Sequence, residues 1–249
     1  TVATVTGSTT TIVGAGTTMV TVSQAADANY TSATATMTLT VINPGFNRLY
    51  GENAADSFGG AVSLSSDGNT LAIGANGADS NGDNSGQVRV YQYSSGSWTQ
   101  LGGDINGENA ADSFGGAVSL SSDGNTLAIG ANGADSNGDN SGQVRVYQYS
   151  SGSWTQLGGD INGKNAADLS GSRVELSSDG NTLAISSFLG NYSGSVRVYQ
   201  YSAGSWTQLG GDIDGENPLD FSGFISLSSD GNTLAIGANG ADSNGDNSG

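Results

Sequence analysis

Short runs of alternating apolar and polar residues, separated by turns rich in glycine, asparagine and aspartate, occupy most of the chain. Within residues 51–106 this alternation predicts four strands, namely Ala61–Ser65, Thr70–Ala75, Gln87–Tyr93 and Trp98–Leu101. Asp67 and Gly68 supply the residue types of a tight hairpin turn between the first two strands. The pattern therefore predicts a unit of four antiparallel strands joined in sequence.

The unit repeats along the chain. Residues 51–106 and 107–162 are identical at every position, residues 163–214 are a diverged copy, and residues 215–249 are an incomplete fourth copy. A repeat of this length indicates an array in which each unit buries its apolar face on its neighbour. Repeated four-stranded units predict a β-propeller, whereas the coils of a β-solenoid, the main alternative, are usually shorter.

The first 42 residues have a different pattern. They alternate threonine with small or β-branched residues and predict the strands Val2–Thr6, Thr10–Val13, Thr17–Ser23 and Thr34–Val41. Asn43-Pro44-Gly45 indicates a linker over residues 43–48, so that the repeat region covers 49–249. Because the chain ends within a repeat, we expect it to be an internal part of a longer protein.

The amino-acid composition excludes several classes of function. Six Lys and Arg residues against 23 Asp and Glu residues give a net charge of -17, which disfavours nucleic acid and anionic membrane surfaces as partners. The chain has neither His nor Cys, so His/Cys metal centres, Ser-His-Asp and Cys-His nucleophiles, and disulfides are excluded. Two identical units also present the same surface twice, which favours a scaffold or binding surface over an enzyme.

Chain direction sorts the acidic residues by face. The loop between the second and third strands leaves a blade on the same side as the connection to the next blade. This side is expected to carry the carboxylates of Glu52, Asp56, Asp79, Asp83 and Asp104, whereas Asp67 lies in the opposite hairpin. One face of the array is therefore predicted to be acidic.

One polar loop has the ligand pattern of a cation site. Oxygen-bearing side chains at alternate positions of a tight loop are typical of Ca²⁺ loops. The pattern occurs in three copies, with these ligand candidates: Asp79, Asn81, Asp83, Asp135, Asn137, Asp139, Asp242, Asn244 and Asp246. The loop lacks the Glu at position twelve and the Gly at position six of an EF-hand, and a solvated turn is the alternative interpretation.

Two further groups of residues allow more than one interpretation. The acidic segment 104–108 is either a blade-to-blade turn or a cation ligand group. Trp98, Trp154 and Trp206 are either packing residues between blades or platforms for stacking glycans.

Three segments of the repeat carry a family resemblance. Ser57–Val62, Leu71–Asn76 and Gly86–Tyr91 resemble the FG-GAP repeat of integrin-α-type propellers and their microbial relatives. Asn76 stands where the family has Pro, and Ser170-Gly171 replaces Phe-Gly in the third copy. The resemblance implies ligand binding on the acidic face. Residues 1–42 resemble the C-terminal part of a bacterial Ig-like domain.

These observations predict a non-enzymatic adhesion or ligand-binding protein outside the cell or on its surface. We expect its partner to be a protein or glycan of a cell or matrix surface, with Ca²⁺ as the cofactor of the polar loops. Neither nucleic acid nor direct membrane insertion is expected, whereas self-association is compatible with the repeats. The alternative is a structural spacer or a subunit of an extracellular fibre.

Overall fold

The computed structural model describes the chain apart from residues 1–2, 7–8, 13–15, 25–32, 42–46, 190–192, 218–219, 221 and 242–249. Every regular element in the described residues is a β-strand, so the all-β prediction is confirmed. The chain divides into two compact units, Thr1–Arg48 and Leu49–Gly249.

The first unit contains two antiparallel hairpins. Strand β1 (Ala3–Thr6) pairs with β2 (Thr9–Ile12), and β3 (Gly16–Gln24) pairs with β4 (Ala33–Val41). The alternation of threonine and β-branched residues thus gives strands where the sequence predicts them. The Ig-like assignment stays a prediction, and most of the predicted linker over residues 43–48 lies outside the described residues.

The first repeat forms a four-stranded antiparallel sheet, which we call blade 1. Its strands are β5 (Ala61–Leu64), β6 (Thr70–Ala75), β7 (Gln87–Ser94) and β8 (Ser97–Gln100), paired in sequence order. A short fifth strand, β9 (Ile105–Asn106), pairs with the start of β7. The segment 104–108 is therefore not only a turn, because its centre extends the sheet.

The second repeat forms blade 2 with the same topology. Its strands are β10 (Ala117–Leu120), β11 (Thr126–Ala131), β12 (Gln143–Ser150), β13 (Ser153–Gln156) and β14 (Ile161–Asn162). Blade 3 contains β15 (Ser170–Leu176), β16 (Thr182–Ser187), β17 (Ser195–Ser202) and β18 (Ser205–Asp214). Blade 4 contains β19 (Ser222–Leu227) and β20 (Leu234–Ala238).

Successive blades are joined through their first strands and an apolar layer between the sheets. The backbone N–H of Leu120 donates to Ser63 Oγ at 3.0 Å, and the N–H of Leu176 donates to Ser119 Oγ at the same distance. Between blades 1 and 2, Val88 and Val90 of one sheet pack in one buried cluster with residues of the next, including Leu120, Leu127 and Ile129. An equivalent cluster joins blades 2 and 3.

Because the two copies are identical, the sequence predicts the same buried residues in both blades, namely Val62, Leu64, Leu71, Ile73, Val88 and Val90 in blade 1 and their copies in blade 2. This prediction is wrong for the first strand of blade 1. Val62 is 62% exposed and Leu64 is 57% exposed in blade 1, whereas Leu120, the copy of Leu64, is 7% exposed. The difference arises because β10 of blade 2 packs against β5 and β6 of blade 1, whereas no blade packs against the other face of blade 1 in the described residues. Ile73, Val88 and Val90 are buried as predicted, whereas Leu71 is only half-buried.

Candidate ligand-binding face

The topology gives each blade two ends with different residues. We call the end with the loop between the second and third strands, residues 76–86 in blade 1, the loop face. The end with the turn between the first and second strands, residues 65–69, is the hairpin face. The same division applies to the later blades, because their strands have the same order and direction.

A buried arginine joins two acidic residues on the loop face. Arg89 is 5% exposed, and its guanidinium lies 2.7 Å from Glu52 Oε2 and 3.2 Å from Asp104 Oδ1. Burial disfavours the charged form of Arg89, but the charges of Asp104 and Glu52 outweigh burial and raise its pKa. Two of the five carboxylates predicted for this face are therefore held in ion pairs.

Blade 2 repeats this arrangement. Arg145 is 4% exposed and forms ion pairs with Glu108 and with Asp160, the latter through Nε at 3.1 Å. A cavity of about 220 Å³ lies beside this cluster and is lined by Glu108, Asp112, Asp135 and Arg145 among others. The same ion-pair geometry is thus presented twice.

The polar loop of blade 1 forms hydrogen bonds with the connection that leads to blade 2. Asn81 Nδ2 donates to the carbonyl of Gly107 at 2.6 Å, and Asp79 Oδ1 accepts from the N–H of Asn84 at 2.7 Å. The N–H of Ala111 also donates to the carbonyl of Asp83 at 2.8 Å. The loop is therefore an ordered part of the junction between two repeats, and its carboxylates at Asp79 and Asp83 remain exposed.

The metal ligand candidates of blade 2 are placed as those of blade 1 are. In blade 2, Asn137 Nδ2 donates to Gly163 O at 2.7 Å and Asp135 Oδ1 accepts from the N–H of Asn140, as in blade 1. Asp139 is also exposed. The third set, Asp242, Asn244 and Asp246, lies outside the described residues. Among the residues that the structure describes, no group of three or more acidic side chains is arranged to hold a metal ion.

Blade 3 changes the charges of the loop face. Lys164 replaces the glutamate of the first two copies, and its Nζ lies 2.6 Å from Asp212 Oδ2. Arg197 instead donates to Ser170 Oγ at 2.7 Å and to the carbonyl of Asn162 at 3.1 Å. Ser170 occupies the position of the buried Phe114, and its smaller side chain admits the guanidinium.

The differences between the first and third copies are distributed unevenly. Residues 64–73 and 88–105, which contain the whole hairpin face, differ from the third copy at one position, where Ala203 replaces Ser95. All other changes fall within 52–63, 74–87 and 106, and they include a loop four residues shorter in the third copy. The variable half of the blade is therefore the half that builds the loop face.

The tryptophans serve packing between blades. Trp154 Nε1 donates to the carbonyl of Leu101 in blade 1 at 2.9 Å, and Trp206 Nε1 donates to Leu157 O in blade 2 at the same distance. Their rings also lie 5.2 Å from those of Tyr149 and Tyr201, respectively. The packing interpretation is confirmed for these two residues.

Comparison with known proteins agrees with the fold. The FG-GAP repeat family matches residues 51–91 and 106–147. A search of the curated proteins finds no match.

Among solved structures, a putative 6-phosphogluconolactonase from Bacteroides uniformis is similar at 14% identity with a TM-score of 0.52, over 73% of this chain and 48% of that chain. Hydrazine synthase from Kuenenia stuttgartiensis is similar at 16% identity with a TM-score of 0.50, over 79% of this chain and 45% of that chain. The chain thus spans just under half the length of either protein. The repeat region of this chain carries FG-GAP repeats that fold as β-propeller blades.

Proposed function

We propose that this chain is a non-enzymatic adhesion or ligand-binding module, outside the cell or on its surface, that recognises a protein or glycan through its loop face. The observation that carries the proposal is the confinement of almost all differences between copies one and three to the loop-face half of the blade. A scaffold with a variable face is typical of binding proteins, because binding residues concentrate on loops that a rigid framework positions.

The geometry favours recognition by more than one blade. The exposed carboxylates of Asp83 and Asp139 stand at equivalent positions of two identical loops. Two weak contacts on one rigid array bind a repetitive surface more tightly than either contact alone, because the second contact forms at high effective concentration. A cell or matrix surface offers such repetition.

An extracellular location is part of the proposal. FG-GAP repeats, the acidic composition and the absence of cysteine are all compatible with it. In the described residues, no helix has the length and apolar character needed to cross a bilayer.

A structural spacer or fibre subunit is the second candidate. It is favoured by the complete identity of the first two copies and by the uncovered apolar side chains of Val62 and Leu64. A spacer requires only that its repeats stack, so changes to the loop face should leave its function intact.

Adhesion of protein-coated beads to matrix-coated and cell-coated surfaces distinguishes the two candidates. Asp83→Asn with Asp139→Asn is expected to lower adhesion about tenfold, because each change removes one exposed charged contact. Ser95→Ala with Ser151→Ala is the control on the hairpin face, since both serines are exposed and the third copy already has Ala203 at this position. Equal loss in both variants, or none in either, contradicts recognition by the loop face.

We also propose that the polar loops bind Ca²⁺ weakly, through the carboxylates of Asp79 and Asp83 and their copies. Extracellular Ca²⁺ modules have dissociation constants of about 10⁻⁴–10⁻³ M, so Ca²⁺ at about ten times this value adds about 1.4 kcal/mol to the free energy of unfolding. The proposal rests on the alternate spacing of oxygen ligands.

The measurement is thermal unfolding in millimolar Ca²⁺, with NaCl of the same ionic strength as the control. The transition temperature is expected to rise in Ca²⁺, and Asp79→Ala with Asp83→Ala should reduce the rise. If Mg²⁺ acts equally well and the substitutions have no effect, screening of a crowded acidic face explains the rise instead.

A further inference from the structure

A second candidate site lies on the hairpin face, opposite the surface proposed for adhesion. A cleft of about 400 Å³ opens between blades 1 and 2, and its walls include Asp67, Asn69, Gln92, Tyr93, Asp123 and Tyr149. Its volume falls within the roughly 300–1,000 Å³ of small-molecule sites. Both blades contribute to it, so the cleft exists only where two repeats stack.

Each tyrosine of the cleft packs against a tryptophan of its own blade. The ring of Tyr93 lies 5.2 Å from that of Trp98, and the ring of Tyr149 lies 5.2 Å from that of Trp154. Trp154 is itself anchored by its hydrogen bond to Leu101 O. Tyr93 is 37% exposed, so part of an aromatic side chain held in place is open to solvent.

The carboxylates of the cleft are held by turn hydrogen bonds. Asp67 Oδ1 accepts from Ser65 Oγ at 2.6 Å and from the N–H of Asn69 at 2.9 Å, and Oδ2 accepts from Asn69 Nδ2 at 3.0 Å. The hydrogen bond from Ser65, followed by those from Asn69, lowers the pKa of Asp67 and keeps its carboxyl ionised. A carboxylate has about four acceptor sites, so one remains for a ligand hydroxyl.

The side-chain amide of Gln92 also lines the cleft. Its side chain is exposed and makes no hydrogen bond within the part of the chain that the structure describes. The third copy has the same residue as Gln200, next to Tyr201. Asp179 and Asn181 likewise retain the turn.

We propose that this cleft binds a neutral sugar. A sugar hydroxyl both donates and accepts hydrogen bonds, which matches a carboxylate acceptor beside an amide that does both. The apolar C–H face of a pyranose ring suits the exposed part of a fixed tyrosine ring. Two ionised aspartates, no lysine or arginine in the lining and a net charge of -17 select against sulfated or acidic glycans.

We infer a second copy of this site between blades 2 and 3, where the sequence repeats the same residue types. Its residues at the same positions are Asp123, Asn125, Gln148, Tyr149, Asp179 and Tyr201. Each type is the same as in the first cleft. The full chain therefore offers two equivalent subsites, which suits a polymer of repeating sugar units.

Saturation-transfer NMR of the full chain tests the proposal with cellobiose, maltose, lactose and chitobiose as probes. At least one disaccharide is expected to receive saturation. Gln92→Ala with Gln148→Ala should weaken its binding about five- to tenfold, because each cleft loses one hydrogen-bonding amide. Tyr149→Phe is a second variant. It keeps the aromatic ring and removes only a hydroxyl, so it should weaken sugar binding less than the glutamine changes do. Unchanged thermal unfolding shows that both variants remain folded.

The control is Ser95→Ala with Ser151→Ala, at an exposed position of the hairpin face where the third copy already has Ala203, and it should leave sugar binding unchanged. No transfer to any of the four disaccharides overturns the proposal. Transfer that the glutamine variants do not reduce, or binding of a lysine-rich peptide in place of every sugar, also overturns it.

Discussion

Leu120→Ala is expected to lower the free energy of unfolding by about 2–5 kcal/mol, because Leu120 is 7% exposed in the cluster between blades 1 and 2. Leu64→Ala is the matched change at the identical position of blade 1, where the leucine is 57% exposed, and it is expected to cost less than about 1 kcal/mol. Urea unfolding followed by tryptophan fluorescence measures both values.

The pair isolates the contribution of stacking, since the two leucines have the same neighbours in sequence. Similar losses in the two variants would mean that both leucines are buried to the same degree. That result would contradict the packing described for the first strands.

Gly130→Ala is expected to destabilise the fold by about 1–3 kcal/mol or more, because a Cβ at this position would overlap the carbonyl oxygen of Gly171 in blade 3. Gly159→Ala is the control, since a Cβ there meets no atom within 4 Å. Its effect should stay within about 0.5 kcal/mol. Thermal unfolding of both variants gives the comparison, and equal transition temperatures would contradict the close approach of the two blades.

The third copy contains a natural parallel to this substitution. Ser186 occupies the position of Gly130, and a Cβ on Gly223 of blade 4 would lie 3.4 Å from Ser186 Cβ, an ordinary contact. The segment of blade 4 that faces Ser186 is one residue shorter than in the other copies. A side chain at this position is therefore tolerated where the neighbouring backbone is farther away.

The strands were predictable because their signal is local. Alternation and turn residues placed the four strands of blade 1 to within one residue of their observed ends. Strand β9 could not be predicted, because a segment of two residues is too short to show an alternation of apolar and polar residues. It is a strand only because Ile105 pairs with Val88.

The contacts between repeats could not be predicted, since they depend on residues far apart in the chain. Asn81 resembles a cation ligand in sequence, yet its amide binds the carbonyl of Gly107, 26 residues later. Likewise, the exposure of Val62 depends on which blades adjoin it, and identical sequences contain no information about that difference. The sequence shows that Lys164 replaces a glutamate, but it does not show that Lys164 forms an ion pair with Asp212, 48 residues later.

The stacking of consecutive repeats underlies both proposed sites, and a cysteine pair tests it most directly. The Oγ atoms of Ser66 and Ser122 lie 2.9 Å apart, and the N–H of Ser66 donates to the carbonyl of Ser122 at 3.0 Å. Such proximity suits a disulfide. The chain has no other cysteine, so each introduced thiol can be counted without interference.

Ser66→Cys with Ser122→Cys is expected to lose both free thiols under mild oxidation while the protein stays monomeric on a non-reducing gel. Ser66→Cys with Ser178→Cys places the thiols two blades apart and should retain both under the same conditions. Free thiols that persist in the first pair, or an equal loss in the second, would contradict the stacking of these repeats as successive blades.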